Sequence, residues 1–277
     1  MERLDRYLVQ EGLLPSREMA RSEVIKGNVL VNGRAVTKPA HRLRPEDEVT
    51  YTGTGRPFVS RGALKLKGAM EAFSLSFKGK RCIDIGASTG GFTHFMLEQG
   101  AEFVHALDVG HDQLDPLLKK DDRVRDLSGV NFRELTPALK KELKGFDFLT
   151  MDISFISVCH MVDSVKQVLR DGGEAVILIK PQFEAGRGAV NRQGVVKDKK
   201  KHREVLEQAV TAFLERDFIL SGLTHSPIKG PHGNIEYLCY LKNGSREKMA
   251  DFSKPDPLKE PYPILFDKVV DLAFQMD

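Results

Sequence analysis

The alternation of short strand-like runs with amphipathic stretches between about residues 59 and 242 constrains the fold more than any other feature. Seven runs rich in Val, Ile, Leu and Phe predict strands, and the helical spacing between most of them favours a mainly parallel α/β sheet. The runs read RCIDI, FVHALD, VNFREL, FDFLTMDI, EAVILIK, FILSGLTHS and EYLCYLKN. Only PIKGPHGNI separates the last two, so we expect the final strand to run antiparallel.

The first fifty residues have a different pattern, which predicts a small α+β domain over residues 1–50. RLDRYLVQEG indicates a helix that ends near Gly12, and LPSREMARSEVIKG a second helix with Ser16 as its N-cap and Gly27 at its end. NVLVNGRAVTKP is typical of a hairpin, because Asn32-Gly33 is a two-residue turn signal, and DEVTY adds a strand.

This N-terminal pattern resembles the RNA-binding domain first defined in the fourth small-subunit ribosomal protein. The resemblance rests on the order RLD…L, SRxxA and IxxGxVxVNG. Residues 1–45 contain nine Arg or Lys and five Asp or Glu, which is 9 − 5 = +4 and suggests an anionic partner. The resemblance implies RNA contacts for Arg3, Arg17, Arg21 and Lys26. The alternative is that these are ordinary solvated charges.

A glycine-rich loop follows the first predicted strand in CIDIGASTGGF. Glycines there permit a tight turn and let a ligand approach a helix N-terminus. The spacing is DxGxxxGG, not the GxGxxG of dinucleotide enzymes, and Asp108 ends the second strand, where a carboxylate could bind ribose hydroxyls.

Loop, acid and strand order resemble the S-adenosylmethionine site of class I (Rossmann-like) methyltransferases. That likeness implies that Asp108 binds the ribose, Asp84 organises the loop and the amino end of the cofactor, and Asn131 faces the adenine. The cofactor-binding candidates are Asp84, Gly86, Ala87, Ser88, Gly90, Gly91, Phe92, Asp108 and Asn131.

Four ionisable residues are expected at the same edge of the sheet. Asp152 and Lys180 end the fourth and fifth strands, and Glu236 begins an antiparallel seventh. Ligands of open α/β sheets bind at the carboxyl ends of the parallel strands, and Lys65, in the helix-like SRGALKLKGAM, could reach that edge. The Lys-Asp-Lys-Glu order resembles the tetrad of FtsJ-type RNA ribose 2′-O-methyltransferases.

The chemistry of ribose methylation gives each member of this set a role. A ribose hydroxyl is a poor nucleophile, so it must be placed in line with the methyl group and lose its proton during transfer. Lys180 is the candidate base, and Asp152 is expected to orient it. Glu236 and Lys65 would hold the hydroxyl and each other. For any one of the four alone, a surface salt bridge is the competing interpretation.

From end to end the chain resembles the TlyA family, sometimes labelled hemolysin A, whose characterised members methylate cytidine 2′-hydroxyls of ribosomal RNA in one or both subunits. The resemblance covers residues 2 to about 242 and includes KPQFEAGR, GVVKD and NIEY. It implies ribosomal RNA or ribosomal subunits as partners and S-adenosylmethionine as cofactor. We assign residues 1–50 to the RNA-binding domain, 51–58 to a linker, 59–243 to the methyltransferase domain and 244–277 to a Pro-rich connector and C-terminal helix.

The tail lies outside this resemblance. ILFDKVVDLAF has apolar residues at helical spacing and should pack, either on its own domain or on a partner subunit. The basic run KDKKKHR at 197–203 opens a helix with Asp198 as a possible N-cap, and it predicts either an RNA phosphate contact or a solvated turn. The modified nucleotide, the subunit and the oligomeric state stay open.

Composition limits the alternatives. The chain has 41% hydrophobic and 29% charged residues, no apolar run of membrane-spanning length and no apolar signal segment, so we expect a cytoplasmic protein that binds no membrane. Cys82, Cys159 and Cys239 lack metal-ligand spacing and are interpreted as core thiols. The competing functions are a non-catalytic RNA- or ribosome-binding protein on a methyltransferase scaffold, and a hemolysin.

Overall fold

The computed structural model describes residues 2–10, 13–14, 17–44, 46–53, 58–244 and 262–276. Two compact units divide the chain, residues 1–61 and 62–277. The expected helix end at Gly12, the expected N-cap Ser16, residues 54–57 of the linker and most of the Pro-rich connector lie outside the described residues.

The described part of the N-terminal unit forms two helices and five short strands, and it confirms the expected helix pair and hairpin. A core that includes Leu4, Leu8, Val24 and Val29 joins the helices to the strands. Asn32 and Gly33 both have positive φ, 51° and 75°, as a tight two-residue hairpin turn requires. The elements are β1 (Glu2–Arg3), α1 (Leu4–Gln10), α2 (Arg17–Ile25), β2 (Val29–Val31), β3 (Arg34–Ala35), β4 (Arg42–Leu43) and β5 (Val49–Tyr51).

The C-terminal unit is built on a seven-stranded sheet in the order β11-β12-β10-β9-β6-β7-β8. The five strands from β10 to β8 are parallel, and β12 pairs antiparallel with both β10 and β11. This confirms the expected antiparallel last strand. The strands are β6 (Arg81–Ile85), β7 (Phe103–Asp108), β8 (Val124–Ser128), β9 (Phe146–Met151), β10 (Leu169–Ile179), β11 (Phe218–His225) and β12 (Tyr237–Asn243).

The third strand of this sheet differs from the prediction. VNFREL does not form it; residues Val124–Ser128 do, and Phe132–Glu134 form a short 3-10 helix. The side chain of Asn131 accepts a hydrogen bond from the Arg133 backbone N–H at 3.1 Å, which favours a turn over an extended strand. Phe132 and Leu135 are nevertheless buried, because the 3-10 segment packs them into the core.

Helices cover the sheet and include a C-terminal helix that docks on its own unit. Phe266, Val269, Val270 and Ala273 are buried in the same core as the sheet, which answers the question left open by the sequence. Across the ranges described above, no helix is long and apolar enough to cross a membrane. The helices are α3 (Gly62–Phe73), α4 (Gly91–Glu98), α5 (Pro116–Lys119), α6 (Pro137–Glu142), α7 (Val162–Val168), α8 (Pro181–Glu184), α9 (Lys199–Leu214) and α10 (Tyr262–Ala273).

Candidate functional site

Four ionisable side chains meet where the carboxyl ends of β9 and β10 lie beside the start of β12. Asp152 and Lys180 directly follow β9 and β10, and Glu236 directly precedes the antiparallel β12. Lys65 reaches them from α3. The Nζ atom of Lys180 lies 2.6 Å from Asp152 Oδ1, and Lys65 Nζ lies 3.4 Å from Asp152 Oδ2 and 2.7 Å from Glu236 Oε2. The structure thus brings together all four residues that the sequence predicted.

The four charges alternate in sign along the order Lys180, Asp152, Lys65 and Glu236, and they are nearly enclosed. The side chain of Glu236 is 0% exposed and that of Lys65 is 11% exposed. Burial disfavours the charge on Lys65, but attraction from Asp152 and Glu236 outweighs it, so the pKa of Lys65 is raised. Lys65 therefore holds its proton firmly, which suits a positioning cation better than a base.

Two further residues that the sequence did not predict shape this cluster. Lys180 donates a hydrogen bond from Nζ to Ser154 Oγ at 2.9 Å, so the lysine is held from two sides. Gly230 faces Glu236 so closely that a Cβ atom at this position would overlap the carboxylate. Ser154 lies two residues beyond Asp152, and polarity close to a strand end is the one sequence signal that could have found it.

The glycine-rich loop lies between β6 and α4, at the same edge of the sheet. Gly86 has a φ of +79°, and a Cβ there would lie 2.6 Å from the Asp152 carbonyl oxygen, so only glycine fits beside the cluster. Gly90 has a φ of +92°, and a Cβ there would overlap Leu118. Both positions therefore require glycine, because the backbone is left-handed there and a side chain would overlap its neighbours.

Asp84 lies beneath this loop and is fully buried. Its Oδ2 accepts hydrogen bonds from the Thr93 backbone N–H at 3.0 Å and hydroxyl at 2.7 Å, and its Oδ1 accepts one from the Thr150 hydroxyl at 2.9 Å. Desolvation raises the pKa of Asp84 to about 6, although both threonines oppose the shift. Asp84 thus ties the start of α4 to β9.

A cavity of about 460 Å³ opens beside the loop, and Asp152 lines it, so the cavity adjoins the charged cluster. Four cofactor candidates also line it: Gly86, Ser88, Asp108 and Asn131. The other five, Asp84, Ala87, Gly90, Gly91 and Phe92, do not line it. The remaining wall residues are Ile85, Leu107, Val109, Gln113, Phe132, Ile153, Ser154, Phe155, Ile156 and Met161. The sequence did not single these out, because most of them are apolar and resemble ordinary core residues.

Asp108 is held with its carboxylate at the cavity wall. Its Oδ2 accepts a hydrogen bond from the Ser88 backbone N–H at 2.8 Å, and its Oδ1 accepts one from the Gly110 backbone N–H at 2.8 Å. A carboxylate has about four acceptor sites, so each oxygen can still accept a hydroxyl group. The loop and β7 therefore present a fixed pair of acceptors to the cavity.

In the N-terminal unit, three of the four RNA-binding candidates surround one buried carboxylate. Asp5 is 0% exposed and accepts two hydrogen bonds of 2.9 Å from Arg3, one of 3.4 Å from Arg17 and one of 3.3 Å from Arg21. The hydrogen bond and charge of Arg3 outweigh desolvation and, with help from Arg17, lower the pKa of Asp5 to about 2. Three guanidinium groups around one carboxylate leave a net positive cluster. The sequence did not predict the role of Asp5.

The other basic candidates form local pairs. Lys26 Nζ lies 2.8 Å from Glu23 Oε1. In the run 197–203, Asp198 caps α9 as predicted, by accepting a hydrogen bond from the Lys200 backbone N–H at 2.9 Å. Lys199 pairs with Asp271 at 2.6 Å, so part of this basic run is used inside the unit.

The sheet order, the antiparallel β12, the glycine loop and the acid at the end of β7 define the fold of a class I methyltransferase. Residues 58–243 match the model of the FtsJ-like methyltransferase family, and residues 2–49 match the S4 domain. The chain therefore belongs to the FtsJ-like methyltransferase family and carries an N-terminal S4 domain.

Several relatives resemble the chain over most of its length. It is 41% identical over 243 residues to the 16S/23S rRNA (cytidine-2′-O)-methyltransferase TlyA of Mycobacterium tuberculosis, covering 87% of this chain and 89% of that protein. It is 32% identical over 256 residues to the 23S rRNA (cytidine-2′-O)-methyltransferase TlyA of Campylobacter jejuni, covering 86% of this chain and 98% of that protein. A solved structure of a candidate hemolysin from Streptococcus thermophilus is 38% identical to this chain in sequence and superposes with a TM-score of 0.72. The match covers 99% of this chain and 96% of that one.

Proposed function

We propose that this protein is an S-adenosylmethionine-dependent methyltransferase that methylates a cytidine ribose 2′-hydroxyl of ribosomal RNA in one or both subunits. The observation that carries the proposal is the buried Lys65–Asp152–Lys180–Glu236 cluster beside the cavity. The names of the relatives from M. tuberculosis and C. jejuni specify the same reaction on ribosomal RNA. An enzyme with this substrate acts in the cytoplasm, where ribosomes are found.

The cavity residues fit the proposed cofactor. Asp108 presents two carboxylate oxygens to accept hydrogen bonds from vicinal ribose hydroxyls, and apolar wall residues such as Val109 and Phe132 suit an adenine ring. Asn131 would face the adenine edge, and Gly86, whose backbone lines the cavity, would let the cofactor lie against the loop. When bound, S-adenosylmethionine supplies a methyl group on a positive sulfonium.

The charged cluster divides the remaining work among its members. Lys180 is the group placed to take the proton from ribose O2′ as the methyl group is transferred, and Asp152 and Ser154 fix the direction of its Nζ. Lys65 keeps its proton because two carboxylates raise its pKa. Glu236, held by Lys65, orients the ribose hydroxyl toward Lys180. Lys180 is thus the group that handles the proton, and the other three position it and the nucleophile.

The S4 domain is proposed to select the RNA substrate. Arg3, Arg17 and Arg21 have side chains that are 33%, 49% and 56% exposed, so each can keep its contact with Asp5 and still donate to a phosphate oxygen. Lys26 would add a further phosphate contact. Such contacts supply affinity and orientation, and their loss reduces the salt dependence of binding.

The test is transfer of a labelled methyl group from S-adenosylmethionine to purified, unmodified ribosomal subunits, followed by mass spectrometry of the RNA. We expect 2′-O-methylcytidine with the wild-type protein and none with Lys180→Ala, which serves as the control. If no label reaches either subunit or naked RNA while the cofactor still binds, the proposed substrate is wrong.

A further inference from the structure

The C-terminal helix α10 makes contacts that lead toward the charged cluster. Its buried face packs against α9 and β11, and the ion pair Arg203–Asp267, with Nε and Oδ1 3.2 Å apart, joins it to α9. Nothing in the chemistry proposed above uses this helix. Phe274 and Met276, which lie just after the helix, connect it to the region around Glu236 and indicate a role.

The first connection runs through a buried histidine. The Phe274 ring packs edge-on against His202, with centroids 5.0 Å apart. His202 is 1% exposed, its Nε2 lies 3.0 Å from the Val196 carbonyl oxygen, and its Nδ1 lies 2.7 Å from the Tyr237 hydroxyl oxygen. A carbonyl can only accept, so Nε2 carries the proton and Nδ1 accepts from Tyr237. Tyr237 directly follows Glu236, so two contacts and one peptide bond link Phe274 to Glu236.

The second connection joins the end of the chain to the loop itself. Lys229 donates a hydrogen bond from Nζ to the Met276 carbonyl oxygen at 2.9 Å. The next residue is Gly230, which faces the Glu236 carboxylate closely and donates its N–H to the Asn234 carbonyl oxygen at 2.8 Å. A displacement of Lys229 therefore moves the backbone that encloses Glu236.

We propose that the C-terminal segment 262–276 is a positioning element for Glu236. It holds the loop of residues 226–236 at two points, directly after the loop through the Phe274–His202–Tyr237 contacts and within it through the Lys229–Met276 hydrogen bond. Glu236 is thereby kept against Lys65, at the 2.7 Å separation of the ion pair. The segment touches no reacting group, so it acts through Glu236. Its effect on methyl transfer rests on the proposed function.

Kinetics of Phe274→Ala test the catalytic consequence. We expect kcat for ribosomal subunits to fall about tenfold while KM and the cofactor Kd stay within twofold, because a shift of Glu236 affects placement of the hydroxyl more than binding. Phe274→Tyr, which retains the ring, should restore kcat. Leu272→Ala is the matched control, since Leu272 is 48% exposed and lies on α10, two residues before Phe274. An unchanged kcat in Phe274→Ala, or an equal loss in Leu272→Ala, would overturn the proposal.

Amide hydrogen exchange tests the positioning without reference to activity. The Ser226 N–H donates to the Glu236 carbonyl oxygen at 2.8 Å, and the Gly230 N–H to Asn234. Both amides should exchange at least tenfold faster in Phe274→Ala and at the wild-type rate in Leu272→Ala. Lys229→Met, which removes only the hydrogen bond to Met276, is the second variant and should also speed exchange at Gly230.

The two readouts separate failure of this proposal from failure of the proposed function. If the wild-type protein methylates no RNA but the variants lose protection at Ser226 and Gly230, the positioning role stands and the reaction is wrong. If protection is unchanged in both Phe274→Ala and Lys229→Met, the positioning role is wrong, whatever the enzyme methylates.

Discussion

The replacement Lys65→Met removes the cation that Glu236 needs and keeps most of the volume of the side chain. Glu236 has no exposed side-chain surface and lies 2.7 Å from Lys65, whereas Asp152 retains Lys180 at 2.6 Å. The cost therefore falls on Glu236. Removing one partner of a buried ion pair costs about 3–5 kcal/mol, and we expect a loss near the lower end of that range.

Urea unfolding of the full-length protein at neutral pH measures this cost as a loss of unfolding free energy. In thermal unfolding, a loss of about 3 kcal/mol corresponds to a decrease in Tm of about 6–12 °C for a domain of this size. The double variant Lys65→Met/Glu236→Gln should regain about 2 kcal/mol, because it removes the unpaired carboxylate. Lys67→Met, on the same helix, is the control. Its side chain is 51% exposed, so its pair with Glu71 should contribute less than about 0.5 kcal/mol.

The pH dependence of this stabilisation has a definite sign. The pKa of Lys65 is raised above its ordinary value of 10.5, so its contribution is complete below that value and is lost as pH rises through the folded-state pKa. The difference between the wild type and Lys65→Met should stay constant from about pH 6 to 9. If Lys65→Met unfolds within about 1 kcal/mol of the wild type, or if the double variant is no more stable than the single one, Lys65 does not compensate Glu236.

Four further predictions concern the base, the domains, the cofactor and the arginine cluster. Lys180→Ala should reduce methyl transfer at least about 100-fold with the cofactor Kd within a few fold, and normal turnover would exclude Lys180 as the base. Deletion of residues 1–50 should leave a folded, cofactor-binding domain that no longer selects ribosomal RNA, and equal activity on ribosomes would contradict this division of labour. Asp108→Ala should raise the cofactor Kd by calorimetry about 10- to 100-fold, because hydrogen bonds to a charged group are lost, whereas an unchanged Kd would remove Asp108 from the site. Asp5→Asn should destabilise the S4 domain by about 1 kcal/mol, because solvent around the partly exposed arginines screens their attraction to the carboxylate. Since the pKa of Asp5 is lowered to about 2, the difference in unfolding free energy between wild type and variant should be constant above pH 5 and vanish as pH falls to about 2 in acid unfolding.

The sequence determined the fold class because its signals are local. Apolar runs of strand length, separated by helical spacing, specify a parallel sheet, and six of the seven predicted strands form as expected. The charged cluster was predictable for the same reason. Asp152 and Lys180 directly follow parallel strands, whose carboxyl ends necessarily lie at one edge of the sheet.

The missed strand shows where local signals fail. VNFREL has the apolar content of a strand, but the Asn131 side chain bonds the backbone two residues on and forms a turn. The strand formed instead by Val124–Ser128 lies at the edge of the sheet, where fewer side chains are buried and the apolar pattern is weak. Burial at a sheet edge depends on neighbours that a short stretch of sequence does not contain.

The tertiary structure alone decided which distant residues support the site. Ser154 against Lys180, Asp5 among Arg17 and Arg21, and Phe274 against His202 are contacts between segments far apart in sequence or in separate elements. None has a periodic signal, because a polar or aromatic residue at such a position is equally compatible with solvent or core. Local chemistry thus specified the strands and the charged residues at their ends, and packing specified what holds them in place.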